Sequence, residues 1–111
     1  MDPLVSIIIP TRNSASTLPT CLSSVRRQTY KALEVIVVDN YSKDQTREIA
    51  KKYNAKVYLK GPERSSQKNY GAKMAKGEYL YFIDADFILH PNVIEECIEL
   101  VRKGHDAIIV W

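Results

Sequence analysis

The chain alternates short apolar runs with segments in which apolar residues recur every three or four positions. Five of the runs are rich in β-branched or aromatic residues, a composition typical of strands. The first, second and fifth runs are almost continuously apolar, as expected for strands that helices cover on both faces. The pattern therefore predicts strands over residues 4–9, 33–39, 55–60, 78–84 and 106–111.

Helix-period segments separate these predicted strands. The second predicted helix can be capped by Ser42 or Asp44. The third, around residues 66–75, begins with polar residues, and the fourth has Pro91 near its first turn and Gly104 just beyond its end. The apolar stripes are Leu18, Leu22 and Val25 in the first helix, Ile49 and Tyr53 in the second, and Val93, Ile94, Cys97, Ile98 and Val101 in the fourth.

This βαβαβαβαβ order predicts an α/β protein with a Rossmann-like, mostly parallel sheet that is flanked by helices and joined by right-handed crossovers. With 111 residues, 45% of them hydrophobic, the chain can form one domain over residues 1–111 and is too short for two. Ligands of such sheets bind outside the carboxyl ends of the strands. We therefore expect the polar segments after the first four strands to converge: Pro10 to Asn13, Asp39 and Asn40, Gly61 to Arg64, and Asp84 to Asp86.

Charge and cysteine usage exclude several classes of protein. The net charge of +3 comes from 16 basic and 13 acidic residues scattered along the chain, whereas nucleic-acid-binding proteins usually carry a denser basic stripe. Cys21 and Cys97 lie among apolar residues and form no C-x-x-C pair, which favours reduced core cysteines of a cytoplasmic protein over a zinc site. The amino terminus is acidic where a signal peptide is basic. Membrane association of a longer protein is left open.

Asp84 and Asp86 directly follow the fourth predicted strand, with only Ala85 between them. In an extended chain their Cα atoms would lie about 6.5 Å apart with both side chains on one side, within reach of one Mg²⁺ or Mn²⁺. The small Ala85 would let a bulky ligand approach the backbone. Such a cation would neutralise charge that develops on a diphosphate leaving group. The alternative interpretation is that both acids are turn and cap residues before the last helix.

Other polar residues near the strand ends could serve the same ligand. Asp39 closes the second strand, where doubly wound folds often place an acid that bonds a nucleoside, although it could also cap the next helix. The chain has 4 glycines and no glycine-rich phosphate loop, so phosphate would be held by metal and basic side chains. Arg64 and Lys68 could contribute, or be plain solvated charges. His90, just before Pro91, is assigned to a cap.

Longer segments carry a resemblance to a known family. The runs VSIIIPTRN, LPTCLSSVRRQTY and LEVIVVDNYSKDQTREIAKKY, followed by SSQKNYGAKMAKGEYLYFIDADFILHPN, resemble family 2 glycosyltransferases of the GT-A fold over nearly the whole chain. The resemblance implies an enzyme that takes a sugar from a UDP- or GDP-linked donor with inversion at the anomeric carbon. It also implies Mg²⁺ or Mn²⁺ as cofactor, and an acceptor, saccharide or lipid-linked, that the sequence does not identify.

The resemblance also implies roles for individual residues. Asp39 would bond the base, typically uracil, and Asp86 would be the principal metal ligand beside Asp84. Lys68 stands where the family often has arginine. A lysine lacks the planar guanidinium fork with which arginine bonds phosphate bidentately. Tyr41 stands where a small residue is common. Together with the residues singled out above, the expected nucleotide-sugar site comprises Pro10, Thr11, Arg12, Asn13, Asp39, Arg64, Lys68, Asn69, Asp84 and Ala85.

The family's catalytic base and acceptor-binding segment are expected downstream of Trp111, so the chain looks like the donor-binding half of a longer enzyme. An apolar sheet edge left by that division could support self-association. One alternative is a small α/β nucleotide-binding or interaction module without catalysis. Another is a haloacid-dehalogenase-type phosphatase, in which Asp84 would be a nucleophile, but only 25 residues follow Asp86 to supply the rest of its site.

Overall fold

Strands and helices alternate along the chain, as the hydrophobic pattern predicts. The computed structural model of the protein describes residues 2–104, and the predicted fifth strand, 106–111, lies outside them. All strand pairings among the described residues are parallel, in the spatial order β3-β2-β1-β4, which confirms the predicted fold class. The elements are β1 (Val5–Thr11), α1 (Leu18–Arg26), β2 (Leu33–Asp39), α2 (Thr46–Lys52), β3 (Lys56–Leu59), α3 (Arg64–Met74), β4 (Tyr79–Phe82) and α4 (Val93–Arg102).

Strand β1 ends two residues later than predicted and runs three residues past the end of its pairing with β4. Its pairing with β4 stops at Ile8 and Phe82, while its pairing with β2 continues to Thr11. The Ile8 carbonyl bonds on the β4 side and the Thr11 carbonyl bonds on the β2 side. Alternation therefore turns the nitrogen of Pro10, which has no hydrogen to donate, toward the side where β4 has already ended.

The core has two layers, one on each face of the sheet. The larger layer lies under α1, α2 and α4 and contains fully buried Ile7, Ile9 and Leu18. The smaller layer lies under α3 and is built from three buried residues, Ile8, Ile36 and Val38, with partly buried neighbours. Among the described residues, no helix has both the length and the apolar character needed to cross a bilayer.

Helix α3 begins at Arg64, two residues before the predicted start, and it approaches the sheet closely through Gly71. A Cβ atom at this glycine would lie 2.5 Å from Cγ2 of Ile8 and 3.2 Å from Cγ2 of Val38. Farther toward the start of the helix, the buried Gln67 donates from Nε2 to the carbonyls of Thr11 (2.9 Å) and Val38 (2.8 Å). This polar helix is thus fastened to β1 and β2 by a close contact and two hydrogen bonds.

A buried carboxylate fastens the connection that follows α3. Glu34 accepts from the Ser6 hydroxyl (2.5 Å), the Lys76 N–H (2.8 Å) and the Lys56 ammonium (2.6 Å). Burial raises its pKa, but the hydrogen bonds from Lys56, Ser6 and Lys76 outweigh burial and bring the pKa to about 2. The α3–β4 connection is therefore held against the amino ends of β1 and β2 by an ionised group.

Candidate functional site

A cavity of about 560 Å³ opens at the carboxyl edge of the sheet. The chain passes from β1 to β2 on one side of β1 and returns to β4 on the other side, so the strand order reverses there. Open α/β sheets bind their ligands at this point. Segments that follow all four strands contribute to the cavity wall, as expected from the parallel topology.

Most of the residues predicted for a donor site lie in this wall. Asp39, Lys68 and Asn69 do not. Lys68 is half-buried and Asn69 is exposed on α3, and their contact with a donor stays a prediction. The predicted residues that line the cavity are Pro10, Thr11, Arg12, Asn13, Arg64, Asp84, Ala85 and Asp86.

Asp39 is fully buried behind the cavity rather than exposed in it. Its Oδ1 accepts from the hydroxyls of Thr11 (2.7 Å) and Ser42 (2.5 Å), and its Oδ2 accepts from the Ser42 N–H (2.8 Å). The Arg47 guanidinium lies 3.7 Å from the same Oδ2. In this conformation the carboxylate bonds its own loops, and the predicted contact with a base would require it to become uncovered.

The β1–α1 loop is locked to the β2–α2 loop around Asn13, a residue with φ of 49°. The Asn13 N–H donates to the Ser42 hydroxyl (2.7 Å), and Oδ1 of Asn13 accepts from the Lys43 N–H (2.8 Å). The Ser14 N–H donates to the Thr46 hydroxyl (2.8 Å). These bonds hold one wall of the cavity in a fixed shape, and they explain why an asparagine, which tolerates positive φ, stands here.

The paired acids lie in a turn, so the extended geometry assumed from the sequence is wrong. Strand β4 ends at Phe82, and the Phe87 N–H donates to the Asp84 carbonyl (3.0 Å), which closes a turn over Ala85 and Asp86. The Asp84 side chain is 42% exposed and forms an ion pair with Arg64 at the start of α3. Asp86 is exposed at the mouth of the cavity.

A buried thiol lies under this acidic turn. The Sγ atom of Cys21 lies 3.7 Å from the Asp84 carbonyl oxygen, to which it can donate a weak hydrogen bond. Burial, with a smaller effect of the Asp86 charge, raises the pKa of Cys21 to about 11. Cys21 and Cys97 are both free, as predicted, and burial also raises the pKa of Cys97. Cys21 is therefore a packing residue and not a nucleophile.

Two other residues noted in the sequence lie outside the cavity wall. The His90 Nδ1 accepts from the Asn92 N–H (3.3 Å), a bond within the turn that leads into α4. The cap assignment for His90 is wrong, because the N-cap position of α4 is Asn92 and no side chain caps the helix. Tyr41 has φ of 50° and is 61% exposed between Asp39 and Ser42. A left-handed backbone at a tyrosine is uncommon, and the locked loop around it maintains that conformation.

Sequence reasoning missed several residues of the wall. Two of the segments expected at this edge are in fact bonded to each other, since Asn40 donates from Nδ2 to the Pro62 carbonyl (2.9 Å). Gln67 carried no signal, because one polar residue in a polar helix is usually solvated. The residues of the wall that the sequence did not single out are Ser14, Ser16, Thr17 and Gln67.

The chemistry of the wall fits a divalent cation together with an anionic ligand. Asp84 and Asp86 supply hard oxygen donors, and residues 2–104 contain no cluster of three or more His, Cys, Asp or Glu side chains that could hold an ion alone. A cation here would need further oxygens from water or from a ligand, as is usual for Mg²⁺. Arg12, Arg64 and the amino ends of α1 and α3 favour negative charge in the same cavity.

Comparison with known proteins agrees with this geometry. The chain is 42% identical over 105 residues to an uncharacterised glycosyltransferase of Rickettsia typhi, covering 92% of this chain and 33% of that protein. Its structure is similar to that of Staphylococcus aureus TarS 1-349 in complex with UDP-GlcNAc, with a TM-score of 0.84, 31% identity and coverage of 92% and 32%. It is also similar to the mannosyltransferase PcManGT of Pyrobaculum calidifontis in complex with GDP-Man and Mn²⁺ (TM-score 0.66, 28% identity, 78% and 28% covered).

The chain spans about a third of the length of these proteins. The model of the family described as Glycosyl transferase family 2 matches residues 6–111. That match covers nearly all of the sequence, including every segment of the cavity wall. The chain therefore belongs to glycosyltransferase family 2.

Proposed function

We propose that the carboxyl-edge cavity binds a nucleoside diphosphate sugar, and that the longer protein containing this chain transfers the sugar to an acceptor with inversion. One observation carries the proposal: the acidic turn at Asp84 and Asp86 shares a single 560 Å³ cavity with two basic side chains and two helix amino ends. That volume lies in the range of small-ligand sites. The similar structures with UDP-GlcNAc and with GDP-Man support both a UDP- and a GDP-linked donor.

Different residues of the cavity wall would bind different parts of the donor. Asp84 and Asp86 would hold Mg²⁺ or Mn²⁺, which when bound neutralises the charge that develops on the leaving diphosphate. Arg64 leaves Asp84 and donates to phosphate oxygens, which a guanidinium bonds well. Thr11, Asn13 and the loop locked behind them form the nucleoside side of the cavity. The catalytic base is a carboxylate in the part of the longer protein beyond Trp111, within reach of the acceptor hydroxyl.

Thermal unfolding of the purified chain tests donor binding without requiring turnover. At a UDP concentration about ten times Kd, in the presence of Mn²⁺, the midpoint should rise by about 5 °C. Neither UDP alone nor Mn²⁺ alone should produce this shift. Asp86→Asn should abolish it, whereas Glu48→Gln, an exposed acid on α2, should retain it.

Two outcomes would replace the proposal with another function. A protein that is not stabilised by UDP, GDP or their sugar conjugates with any divalent cation would be an inert α/β module. Release of phosphate from an aryl phosphate, lost in Asp84→Asn, would instead indicate a phosphatase with Asp84 as nucleophile. Free Mn²⁺, measured by electron paramagnetic resonance, would report whether the cation binds at these acids at all.

A further inference from the structure

The amino edge of the sheet, opposite the donor cavity, carries a concentration of positive charge. The basic residues that form it are scattered along the sequence, so the sequence alone does not reveal it. The helices end there and the strands begin there, so residues far apart in the chain meet. Six exposed cations come from the ends of α1 and α2, the start of β3 and the connections into β2 and β4: Arg26, Lys31, Lys51, Lys52, Lys56 and Lys76.

A second cavity, of about 490 Å³, opens among these cations. Lys31 and Lys76 lie on its rim, and apolar or aromatic side chains form much of its wall, including the half-buried Leu33 and Tyr53 above the buried Tyr30. Tyrosines that combine an apolar ring with a polar tip are typical of surfaces that meet a boundary between water and an apolar phase. The edge therefore combines positive charge with amphipathic side chains.

Few acidic side chains lie near this edge, and most of them already form ion pairs with basic residues. Glu34 is buried and its ion pair neutralises Lys56, Asp2 pairs with Arg102 (2.7 Å), and Glu78 is exposed. Of the five lysines named at this edge, Lys56 is in an ion pair and the other four form none with any acid of the described residues: Lys31, Lys51, Lys52 and Lys76. Their charge is available to an external anion.

We propose that the amino edge, defined by these six cations and the cavity between them, docks on the surface of a bilayer that contains anionic lipids. The cations are spread over several elements rather than along one groove, which suits a broad charged surface better than a single extended polymer strand. The half-buried Tyr53 and Leu33 suit the interfacial region below the headgroups. Because β1 has seven residues, the donor cavity lies about 23 Å away and remains open to water.

Vesicle sedimentation with the purified chain tests the proposal. We expect binding to phosphatidylcholine vesicles that contain phosphatidylglycerol, and none to phosphatidylcholine alone. Binding should be lost when salt rises from about 0.1 M to about 1 M, because the Debye length falls from about 10 Å to about 3 Å. The double variant Lys31→Gln/Lys76→Gln should bind about 30-fold more weakly, at about fivefold per lysine.

The matched control removes the same charge from the other edge. Lys43→Gln/Lys60→Gln, both exposed near the carboxyl ends of β2 and β3, should change vesicle binding by less than about threefold. Equal weakening in both double variants would overturn the proposal in favour of non-specific net charge. Binding to soluble poly-glutamate or duplex DNA without binding to anionic vesicles would overturn it in favour of a macromolecular partner in solution. Circular dichroism of each variant establishes that it is folded before it is compared.

Discussion

The buried Asp39 carboxylate at the end of β2 accepts a 2.7 Å hydrogen bond from the Thr11 hydroxyl at the end of β1. The same carboxylate accepts from the hydroxyl and the N–H of Ser42, and Ser42 in turn accepts from the Asn13 N–H. One acid thus joins the two loops that form one wall of the cavity. Its direct effect in this conformation is on loop shape.

Replacing Asp39 with alanine should therefore destabilise the whole chain and not only weaken a ligand. The Ser42 N–H and the Thr11 hydroxyl would lose their buried acceptor, which costs about 1–3 kcal/mol in free energy of unfolding. Urea unfolding of Asp39→Ala measures this loss. Glu48→Ala, an exposed acid on α2, should stay within about 0.5 kcal/mol of the wild type. An unchanged Asp39→Ala midpoint would show that the loops do not depend on the carboxylate.

The two carbonyls that face Gln67 make its replacement by glutamate informative. A carboxylate at this position would face the Thr11 and Val38 carbonyl oxygens, which both require a donor. We expect Gln67→Glu to lower the free energy of unfolding by more than about 2 kcal/mol at pH 8. The loss should shrink at pH 5, because burial raises the pKa of the introduced carboxyl and its protonated form can donate one bond.

The comparison for this prediction is Lys73→Glu, which introduces a carboxylate on the exposed part of the same helix. The free energy of unfolding of that variant should show no comparable recovery between pH 8 and pH 5. If Gln67→Glu behaved like it, the side chain at position 67 would have turned away from the two carbonyls, and the helix would not depend on them.

The sheet and the position of the cavity at its carboxyl edge could be predicted, because the period and the order of the apolar runs are enough to define both. Strand β2 spans 33–39 as predicted, and a parallel sheet has only one carboxyl edge on which its following loops can meet. The geometry of the acids could not be predicted in this way. Apolar residues on both sides of Asp84 resemble a continuing strand, whereas the chain turns at Ala85.

The role of Asp39 and the burial of Gln67 escaped prediction for a related reason. Asp39 is bonded by a hydroxyl 28 positions earlier, and no local pattern announces such a partner. Gln67 reaches the sheet because Gly71, one turn later, removes the side chain that would keep α3 away. Polar contacts between distant segments depend on the final packing, which hydrophobic periodicity does not encode.

The contribution of Glu34 to the stability of the chain should disappear at acidic pH. Its pKa in the folded protein is about 2, below the ordinary value of 4.5, so its contribution is fully present above 4.5 and is lost as the pH falls toward 2. Glu34→Gln should therefore be less stable than the wild type at pH 7, by about 1–3 kcal/mol. The gap should narrow as the pH falls from 4.5 to 2.5 in urea unfolding.

Glu78→Gln provides the comparison for this pH dependence, since Glu78 is an exposed acid near the same edge. Its stability curve should run parallel to that of the wild type over the same pH range. A gap between Glu34→Gln and the wild type that stayed constant from pH 7 to pH 2.5 would contradict the lowered pKa of Glu34.

Gly71→Ala separates helix propensity from packing. Alanine is better than glycine in a helix by about 1 kcal/mol, so propensity alone would stabilise the variant. The new Cβ atom, however, would lie 2.5 Å from Ile8 Cγ2, and overpacking of this kind costs about 1–3 kcal/mol. We expect a lower melting temperature in scanning calorimetry. A melting temperature above the wild type would show that α3 can move away from the sheet at little cost.

The ion pair between Arg64 and Asp84 should compete with the cation proposed for the acidic turn. Both partners are partly exposed, at 55% and 42%, so the pair is worth about 1 kcal/mol or less. Arg64→Gln frees Asp84 and should tighten Mn²⁺ binding in the absence of nucleotide by about two- to fivefold, measured by electron paramagnetic resonance of free Mn²⁺. The same change should weaken UDP binding in the presence of saturating Mn²⁺, because a donor to phosphate is lost.

Lys68→Gln is the control for this prediction, because it removes a nearby charge that lies outside the cavity wall. It should leave Mn²⁺ binding without nucleotide nearly unchanged. Weaker Mn²⁺ binding in Arg64→Gln would mean that the arginine orients Asp84 for the metal and does not compete with it.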